Sequence, residues 1–519
     1  MTKVAKYLES SLNTKNLFFY FVLFIFTIIT QNIYLNIETI EWDIASYLVA
    51  SQGIEYGELP NETQWESKGP IFIYLYYLLS LPAENTFVIF KLINDLMLFL
   101  ISLILFKTIL SKTKEYINAF VSSILFLSIM SQVWAQSGYS EIYSLIFLSL
   151  AYFIITNYRF NNRSYLLIGV LFSISSLINQ GTVIFLLPII ISELTLNSQR
   201  TYLRKVLNLG IGFTFPHLFF LFLYLANGLI DIYLATYLTI PLGYIQANYA
   251  SFYELLVFSR ELMEYNLYLY LCLVSLIIIN LLNLLKKYTK KAKLIIFDLD
   301  NLNIIFGLLF YFIGSHNYYH HLIYLVFFIP FMINKINFSK QKKFIYVLVL
   351  ISSLSILQNT YKKSFNNLSN INTLQQNYPL YNLANEINSY FIDEYDVLAL
   401  DYNLILYYLN KPNFSYIVHP SNHFEEFIIE VLSDLDRVNS DYITDLINKE
   451  PDVIICNPRM IIRGIPTEIS SLFNCEVSDY NKNYFKLDTK KYKNDENLNY
   501  YYDPYKEISV FIKKEKIEN

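Results

Sequence analysis

Long apolar runs alternate with short polar connections over the first 360 residues of the chain. A helix needs roughly 20 apolar residues to cross the hydrocarbon core of a membrane. The pattern predicts crossings at 16–35, 86–106, 116–136, 140–157, 164–179, 180–195, 206–226, 266–285, 294–314, 318–334 and 344–360. Another apolar segment, 70–84, is short and bracketed by Pro70 and Pro82, which indicates an interfacial or partly inserted helix. We therefore expect a polytopic α-helical membrane protein of about 11–13 spans.

After residue 360 no apolar run of span length remains, and short apolar runs alternate with helical patterns. Candidate strands are Asp396–Leu400, Phe414–His419, Asp452–Cys456 and Tyr484–Leu487, and candidate helices are Tyr381–Ile392, His423–Leu435 and Tyr442–Asn448. Such an alternation is typical of a small α/β domain. The sequence thus predicts a multi-span domain, 1–360, followed by an accessory α/β domain, 361–519, called the tail below.

The composition excludes several classes of protein. Hydrophobic residues make up 54% of the 519 residues and charged residues 16%, whereas a soluble domain has about 45–50% and 25%. A net charge of -4 lacks the basic surface that a nucleic-acid-binding protein needs. Of the 13 glycines only Gly464 lies in the tail, which leaves no Gly-rich loop for a nucleotide. Cys456 and Cys475 both lie in the tail, and spacing alone leaves their pairing open.

Basic residues fall in alternate connections between the predicted spans. They cluster near the N-terminus and at 112–114, 159–163, 200–205, 286–293 and 335–343. By the positive-inside rule these connections are cytoplasmic, which places the N-terminus inside and the tail outside. We therefore expect a multi-pass protein of the inner or plasma membrane with an extracytoplasmic tail.

The first outside loop, 36–69, is rich in acidic residues. It contains Glu38, Glu41, Asp43, Glu55, Glu58, Glu62 and Glu66 against the single base Lys68. Within it, the apolar spacing of Ile44 to Gly53 predicts a short amphipathic helix on the outer membrane surface.

Acidic and basic side chains at the level of the lipid headgroups are suited to catalysing the transfer of a sugar. Joining a sugar to a hydroxyl or amine needs a base for the acceptor's proton, and we expect this role among Asp43, Glu66 and Glu141. The departing lipid phosphate needs cations, for which we expect Lys68, Lys91 and Arg260. Nucleotide sugars are absent outside the cell, so the donor would be a sugar carried on a lipid phosphate.

The segments Glu41–Gly53 and Trp65–Pro70 resemble the GT-C superfamily of polyprenyl-phosphate-sugar glycosyltransferases. The resemblance is to the branch of the protein O-mannosyltransferases and the lipid A aminoarabinose transferase. Asp43, Tyr47 and Gly53 match an acidic residue followed by an xxYxxxAxxxxxG helix. Glu66, Lys68 and Pro70 match an acid-x-Lys-Pro-Pro segment, with Gly69 where the family more often has Pro.

Two later segments continue the resemblance. Gly138–Glu141 is similar to the family's second outside loop, which often carries Asn/Ser-x-Glu. The stretch from Gly314 to Pro330, which contains His320 and His321, is similar to its HYxLxxxP segment. The resemblance implies an inverting transfer by a single displacement from a polyprenyl-phosphate sugar. Asp43 would be the base or a metal-assisted organiser of the acceptor, which would be a glycan, a lipid or a protein.

Each of these residues also has a structural alternative. Asp43 suits the N-cap of the predicted helix, and Glu66 with Lys68 suits a solvated surface pair. Lys91 forms an i,i+4 pair with Asp95 and suits a snorkelling anchor.

Three further candidates have alternatives as well. Arg260 suits an ordinary charged loop face, and Glu141 begins a span beside outside water, where ionisable groups are often functional. His316 and His320 are one helical turn apart, which suits either a divalent metal or an aromatic belt at the headgroups. The sequence leaves the cofactor, the sugar, the acceptor and the oligomeric state open.

Other functions predict other patterns. A transporter or flippase of a lipid-linked or small polar substrate should have ionisable residues deep in its spans and matching halves. A polysaccharide polymerase or ligase should have a long arginine-bearing outside loop, whereas 227–265 contains only Arg260. A scaffold would explain the tail but not the acidic loop, so a glycosyltransferase is the favoured function.

The first prediction concerns topology. Reporter fusions after Lys15 and Asn370 should report opposite sides of the membrane, with the fusion after Lys15 in the cytoplasm, because the basic connections alternate. Finding both fusions on the same side would contradict the prediction that the first outside loop, 36–69, and the tail lie on the same side of the membrane.

Overall fold

The computed structural model describes residues 14–83, 86–136, 138–158, 161–196, 199–247, 251–296, 298–314, 318–336, 339–423, 425–458, 483–492 and 507–516. Its first helices are α1 Thr14–Gln31, α2 Trp42–Gln52, α3 Pro70–Ser80, α4 Phe87–Thr113, α5 Tyr116–Ile129, α6 Ser140–Tyr158, α7 Ser164–Ile178, α8 Leu186–Leu196 and α9 Gln199–Ala226. They are followed by α10 Ile230–Leu234, α11 Ile240–Ala247, α12 Phe252–Tyr265, α13 Leu267–Ile296, α14 Leu299–Gly314, α15 Ile323–Phe328 and α16 Ser339–Ser369. The tail adds α17 Ile371–Leu374, α18 Pro379–Asn388, α19 Leu404–Leu409, α20 Glu426–Asp434 and α21 Tyr442–Asn448.

Among the described residues, five helices are long and apolar enough to cross a membrane. They are Thr14–Tyr34, Phe87–Thr113, Ser140–Tyr158, Tyr202–Ala226 and Ser339–Ser369. Shorter apolar helices cover Pro70–Ala83, Tyr116–Ile129, Ser164–Ile178, Gln180–Thr195, Leu267–Asn283 and Leu299–Ile313. Every predicted crossing except 318–334 thus coincides with an apolar helix, which confirms the predicted fold class.

The predicted crossing 318–334 is not a continuous helix. It consists of a 3-10 turn at Tyr319–Leu322, the short helix α15 and a second 3-10 turn at Ile329–Lys335. Pro330 stands at the start of that last turn, where it removes a backbone donor. Interrupted backbone is tolerated at membrane depth only inside protein, and α15 is accordingly buried against α5, α6 and α14.

The helix predicted in the first outside loop exists, but it does not lie on the membrane surface. All eight residues from Ile44 to Ser51 of α2 are buried. The helix packs against α3 on one side and against α19 of the tail on another. The prediction of an amphipathic helix on the outer membrane surface was wrong, because α3 and the tail bury this helix.

The tail contains a four-stranded sheet in the order β1-β2-β4-β3, with β1 Val397–Ala399, β2 Val453–Cys456, β3 Tyr484–Lys486 and β4 Ser509–Lys513. Strand β1 runs parallel to β2, and β4 runs antiparallel to both of its neighbours. Strands β1, β2 and β3 were predicted, whereas β4 and α19 were not. The predicted strand Phe414–His419 was wrong, because there only Ile417 forms a bridge, to Trp65 of the first loop. Cys456 forms a disulfide bond, and its predicted candidate partner Cys475 lies outside the described residues.

The tail is joined to the first outside loop by buried polar contacts. Glu38 is fully buried, and its carboxylate accepts hydrogen bonds from the backbone N–H groups of Leu380 at 2.7 Å and Tyr381 at 3.0 Å. These are free donors in the first turn of α18. Burial raises the pKa of Glu38 to about 8. Helix α16 continues to Ser369, so the predicted domain boundary at residue 360 falls inside a helix.

Helices α7 and α9 approach each other through two glycines. A Cβ atom on Gly169 would lie 2.2 Å from the carbonyl oxygen of Leu209, and one on Gly212 would lie 2.1 Å from that of Leu166. Small residues at such crossings let helix backbones pack closely in a membrane. This contact fixes the position of α7, whose C-terminal end leads to the site described below.

The second prediction tests this crossing. Gly169→Ala and Gly212→Ala should each destabilise the protein by about 1–3 kcal/mol, because the added methyl group overlaps backbone that cannot move aside cheaply. Gly210→Ala is the matched control, since a Cβ there meets nothing within 4 Å. Thermal unfolding of the detergent-solubilised protein measures the effect, and equal Tm values for all three variants would contradict the crossing.

Candidate active site

Acidic and histidine side chains from distant parts of the chain meet at one place. Ligand atoms of Glu41, Asp43 and His320 lie within 4.8 Å of one another, and so do those of Glu141, His320 and His321. The two groups share His320 and therefore form one cluster. The sequence predicted Asp43, Glu141 and His320 as site residues, and the structure brings them together.

Helix α2 positions Asp43. Its N-cap is Glu41, without a side-chain capping bond, and Asp43 lies inside the first turn. The Tyr47 hydroxyl, one turn further on, donates a hydrogen bond of 2.6 Å to Oδ1 of Asp43. The N-cap alternative for Asp43 is therefore wrong, because Glu41 occupies that position.

The ammonium group of Lys68 lies over the ring of the same tyrosine, Tyr47. Its Nζ is 5.8 Å from the centre of the Tyr47 ring, a distance at which a cation is attracted to the ring face. Lys68 is half-buried, and Nζ has no hydrogen bond or ion pair to any described residue. A cation held in this way is available to an anionic ligand.

Gly69 explains why the motif departs from the family's pattern after Lys68. A Cβ atom at this position would lie 2.2 Å from the carbonyl oxygen of Leu177, at the end of α7. Proline carries a Cβ and would overlap with that backbone, whereas glycine fits. Pro70 then begins α3 at a position where its missing N–H has no intrahelical acceptor to lose.

Glu66 is buried beside the cluster with one oxygen satisfied and one not. Its Oε1 accepts hydrogen bonds from the backbone N–H of Ser67 at 2.8 Å and from the Ser67 hydroxyl at 2.9 Å. Its Oε2 is buried with no hydrogen-bond partner among the described residues. Burial raises the pKa of Glu66, although the neighbouring charges of His419 and Lys68 oppose this.

Glu141 is held at the start of α6. Its Oε1 accepts a hydrogen bond of 2.8 Å from the side-chain amide of Asn179 and lies 3.6 Å from Nε2 of His321. The ring of His320 stacks on Tyr139, with 4.2 Å between the ring centres. The interrupted backbone around residue 320 thus turns two adjacent histidines toward one carboxylate.

His419 reaches the cluster from the tail. Its Nε2 lies 3.4 Å from Oδ1 of Asp43, within ion-pair distance. The residue ends the segment 414–419, which was predicted as a strand. A histidine at the end of a predicted strand, followed by Pro420, is the one signal in the sequence that could have singled it out.

The charges of the cluster are unequal. Burial raises the pKa of Glu41, and the nearby charge of Asp43 raises it further. Burial would also raise the pKa of Asp43, but hydrogen bonds with Glu41 and His419 outweigh it and hold that pKa below its usual range. The pair therefore keeps its proton on Glu41 and its negative charge on Asp43.

The negative charge of Asp43 affects the pKa values of two neighbouring bases, Lys68 and His419. Burial lowers the pKa of Lys68, but Glu141, Asp43 and Glu66 together raise it above its ordinary value. Burial likewise lowers the pKa of His419, but the hydrogen bond with Asp43 and the charge of Glu66 raise it. The arrangement is an anionic carboxylate with a lysine and a tail histidine as its nearest cations.

Two predicted residues, Lys91 and Arg260, are not part of the cluster. The Lys91 Nζ donates a hydrogen bond to the carbonyl oxygen of Ile37 and lies over the rings of Phe87 and Tyr378, at 4.9 and 5.3 Å. Arg260 is exposed and pairs with Glu264 at 2.8 Å. His316 lies outside the described residues. Conversely, Glu41, His321 and His419 belong to the cluster and were not predicted as site residues.

Comparisons with known proteins find similarity only among solved structures. No family model matches the chain, and no curated protein matches it. Among solved structures, the chain is similar to an oligosaccharyltransferase of Archaeoglobus fulgidus, solved with a tethered acceptor peptide that contains an NVT sequon. The TM-score is 0.44 at 10% sequence identity, over 87% of this chain and 70% of the other. A likeness of this size leaves function to be argued from the residues.

Proposed function

We propose that this protein is a membrane glycosyltransferase of the GT-C type, which moves a sugar from a polyprenyl-phosphate carrier to an extracytoplasmic acceptor. The observation that carries the proposal is the arrangement around Tyr47. An anionic carboxylate, Asp43, accepts from its hydroxyl, and an uncommitted cation, Lys68, lies over its ring. A base and a phosphate-binding cation are thus held apart by one buried side chain rather than neutralising each other in a direct pair.

The proposed reaction is a single displacement at the anomeric carbon. Asp43 takes the proton from a hydroxyl or amine of the acceptor as the acceptor atom forms its bond to that carbon. The bond from the carbon to the phosphate oxygen breaks at the same time, and its electron pair leaves with the polyprenyl phosphate. Lys68 stabilises the negative charge that develops on the departing phosphate. The configuration of the sugar is inverted.

The remaining acids have supporting roles in this proposal. Glu66 has a buried oxygen without a partner, which is costly unless a ligand satisfies it; a sugar hydroxyl would donate to it. Glu141 is held by Asn179 and faces His321. It therefore orients the histidine pair rather than the acceptor.

The cluster also fits a divalent cation. Carboxylate and imidazole groups are suitable ligands for Mn²⁺, Mg²⁺ or Zn²⁺, and the buried Oε1 of Glu41 has no hydrogen-bond partner among the described residues. Glu41, Asp43 and His320 would hold the ion, or Glu141 with the two histidines would. A bound cation would add positive charge next to the phosphate.

A transporter or flippase is less well supported. Two ion pairs join charged side chains of the apolar helices, Lys205 with Glu193 at 2.7 Å and Lys112 with Asp300 at 2.6 Å. Both lysines lie at the predicted cytoplasmic side, away from the cluster. Such pairs suit a structural role rather than a transport path.

The third prediction tests the two central residues. Asp43→Asn should lower kcat by roughly 10²–10⁴-fold with donor binding retained, because it removes the base but keeps the size. Lys68→Ala should also weaken donor binding, because the phosphate is charged before the reaction begins. Transfer from a polyprenyl-phosphate sugar, measured in detergent or vesicles, separates kcat from KM.

The matched control for Lys68 is Arg260→Ala, since Arg260 is a cation outside the cluster. It should retain wild-type activity. Near-wild-type turnover of Asp43→Asn would contradict the proposed mechanism, and equal losses for Arg260→Ala and Lys68→Ala would contradict a specific phosphate site.

The fourth prediction tests the cation. After treatment with a chelator, Mn²⁺ at about 100 times its Kd should stabilise the wild-type protein by about 2.7 kcal/mol. His320→Ala should reduce this stabilisation because His320 belongs to both candidate ligand sets, whereas Glu264→Gln, at an exposed acid, should not. Thermal unfolding measures it without relying on activity. Equal Mn²⁺ stabilisation of all variants would place the ion elsewhere.

A further inference from the structure

One segment of the tail is laid along the first outside loop. We call residues 413–423 the docking strap. Trp65 N–H donates to the carbonyl oxygen of Tyr416 at 2.7 Å, and Val418 N–H donates to that of Trp65 at 3.2 Å. The side chain of Gln64 accepts from the Asn413 N–H at 2.7 Å and donates to its carbonyl at 3.0 Å. These paired contacts fix the register of the docking strap against the loop.

That register delivers His419 to Asp43. The Nδ1 atom of His419 accepts from the backbone N–H of Ser421 at 3.3 Å, and the Ser421 hydroxyl lies 2.9 Å away. A backbone N–H can only donate, so the neutral ring carries its hydrogen on Nε2, the atom that faces Asp43. The imidazolium carries a hydrogen there as well. In both protonation states, therefore, the ring presents an N–H to the carboxylate.

The same oxygen of Asp43 is contacted from two sides. Tyr47 of the membrane domain donates to Oδ1 at 2.6 Å, and Nε2 of His419 lies 3.4 Å from the same atom. Two donors on one oxygen restrict the rotation of the carboxylate. Trp42, the residue before Asp43, is held as well, because its indole N–H donates to Asp401 of the tail at 2.8 Å.

We propose that His419 is a positioning residue for the base Asp43, supplied to the membrane domain by the tail through the docking strap. This inference rests on the proposed function and deepens it. The tail is then part of the catalytic centre, not an accessory to it. The interaction acts on the orientation of the base, so its loss changes turnover more than donor binding.

The fifth prediction follows from this role. His419→Ala should lower kcat by up to roughly 10²-fold with little change in the KM for the donor, because a misplaced base is costly. His419→Gln should recover part of the loss, since its amide can present an N–H near the position of Nε2. In an Asp43→Asn background, His419→Ala should have almost no further effect, because residues that act as a unit are not additive.

The control is Tyr416→Phe, which removes a 2.7 Å hydrogen bond from the docking strap to the carbonyl of Asn61 but leaves His419 in place. It should retain wild-type kcat. If Tyr416→Phe loses as much activity as His419→Ala, or if the losses at Asp43 and His419 are additive, the role of His419 is only structural and the inference is overturned. Wild-type kcat in His419→Ala overturns it too.

Failure of the proposed function would be recognised separately. It would appear as an inactive wild-type protein with every polyprenyl-phosphate sugar tested, and the assignment of His419 would fall with it. An active wild-type protein that tolerates His419→Ala would overturn the assignment of His419 alone. If His419→Ala does not fold, the same comparison is made with His419→Gln alone and with His419→Gln combined with Asp43→Asn.

Discussion

The burial of several acidic side chains at one place is the constraint on which the rest of this structure depends. Four acidic residues lie close enough to one another to shift the pKa values in the cluster: Glu41, Asp43, Glu66 and Glu141. Buried carboxylates of like charge are costly unless they are neutralised or paired. The structure meets this cost in two ways. Glu41 and Glu66 are shifted toward the protonated form, and the charge that remains is offset by cations from elsewhere in the chain.

Those cations come from different parts of the chain, so the parts must dock accurately. Lys68 belongs to the first loop and the histidine to the tail. The polar contacts that hold the tail in place include those of Glu38 at the start of α18, Trp42 at Asp401, and Trp65 at the docking strap. Each contact uses a residue of the acidic loop. The loop therefore both supplies acidic side chains to the cluster and forms the surface against which the tail packs.

The sequence predicted what depends on local pattern. Apolar length located the helices, and short motifs located Asp43, Glu66, Lys68 and Glu141. It failed where the outcome depends on distant contacts. Gln64 and Ser415 meet across 351 positions of sequence, and no periodicity in either segment records that pairing. The amphipathic spacing of α2 predicted a helix on the outer surface. That prediction failed for the same reason, since the element that covers the helix lies in the tail.

The docking strap has a consequence for the biogenesis of the protein. Under the predicted topology, the loop with Asp43 and Lys68 is inserted early in synthesis, whereas His419, which contacts Asp43, follows the last span. The nascent chain passes through a long period in which its early loop already stands at the outer face without its partner. Under the role proposed for His419, the cluster is complete only when the last translocated segment has packed against the first outside loop.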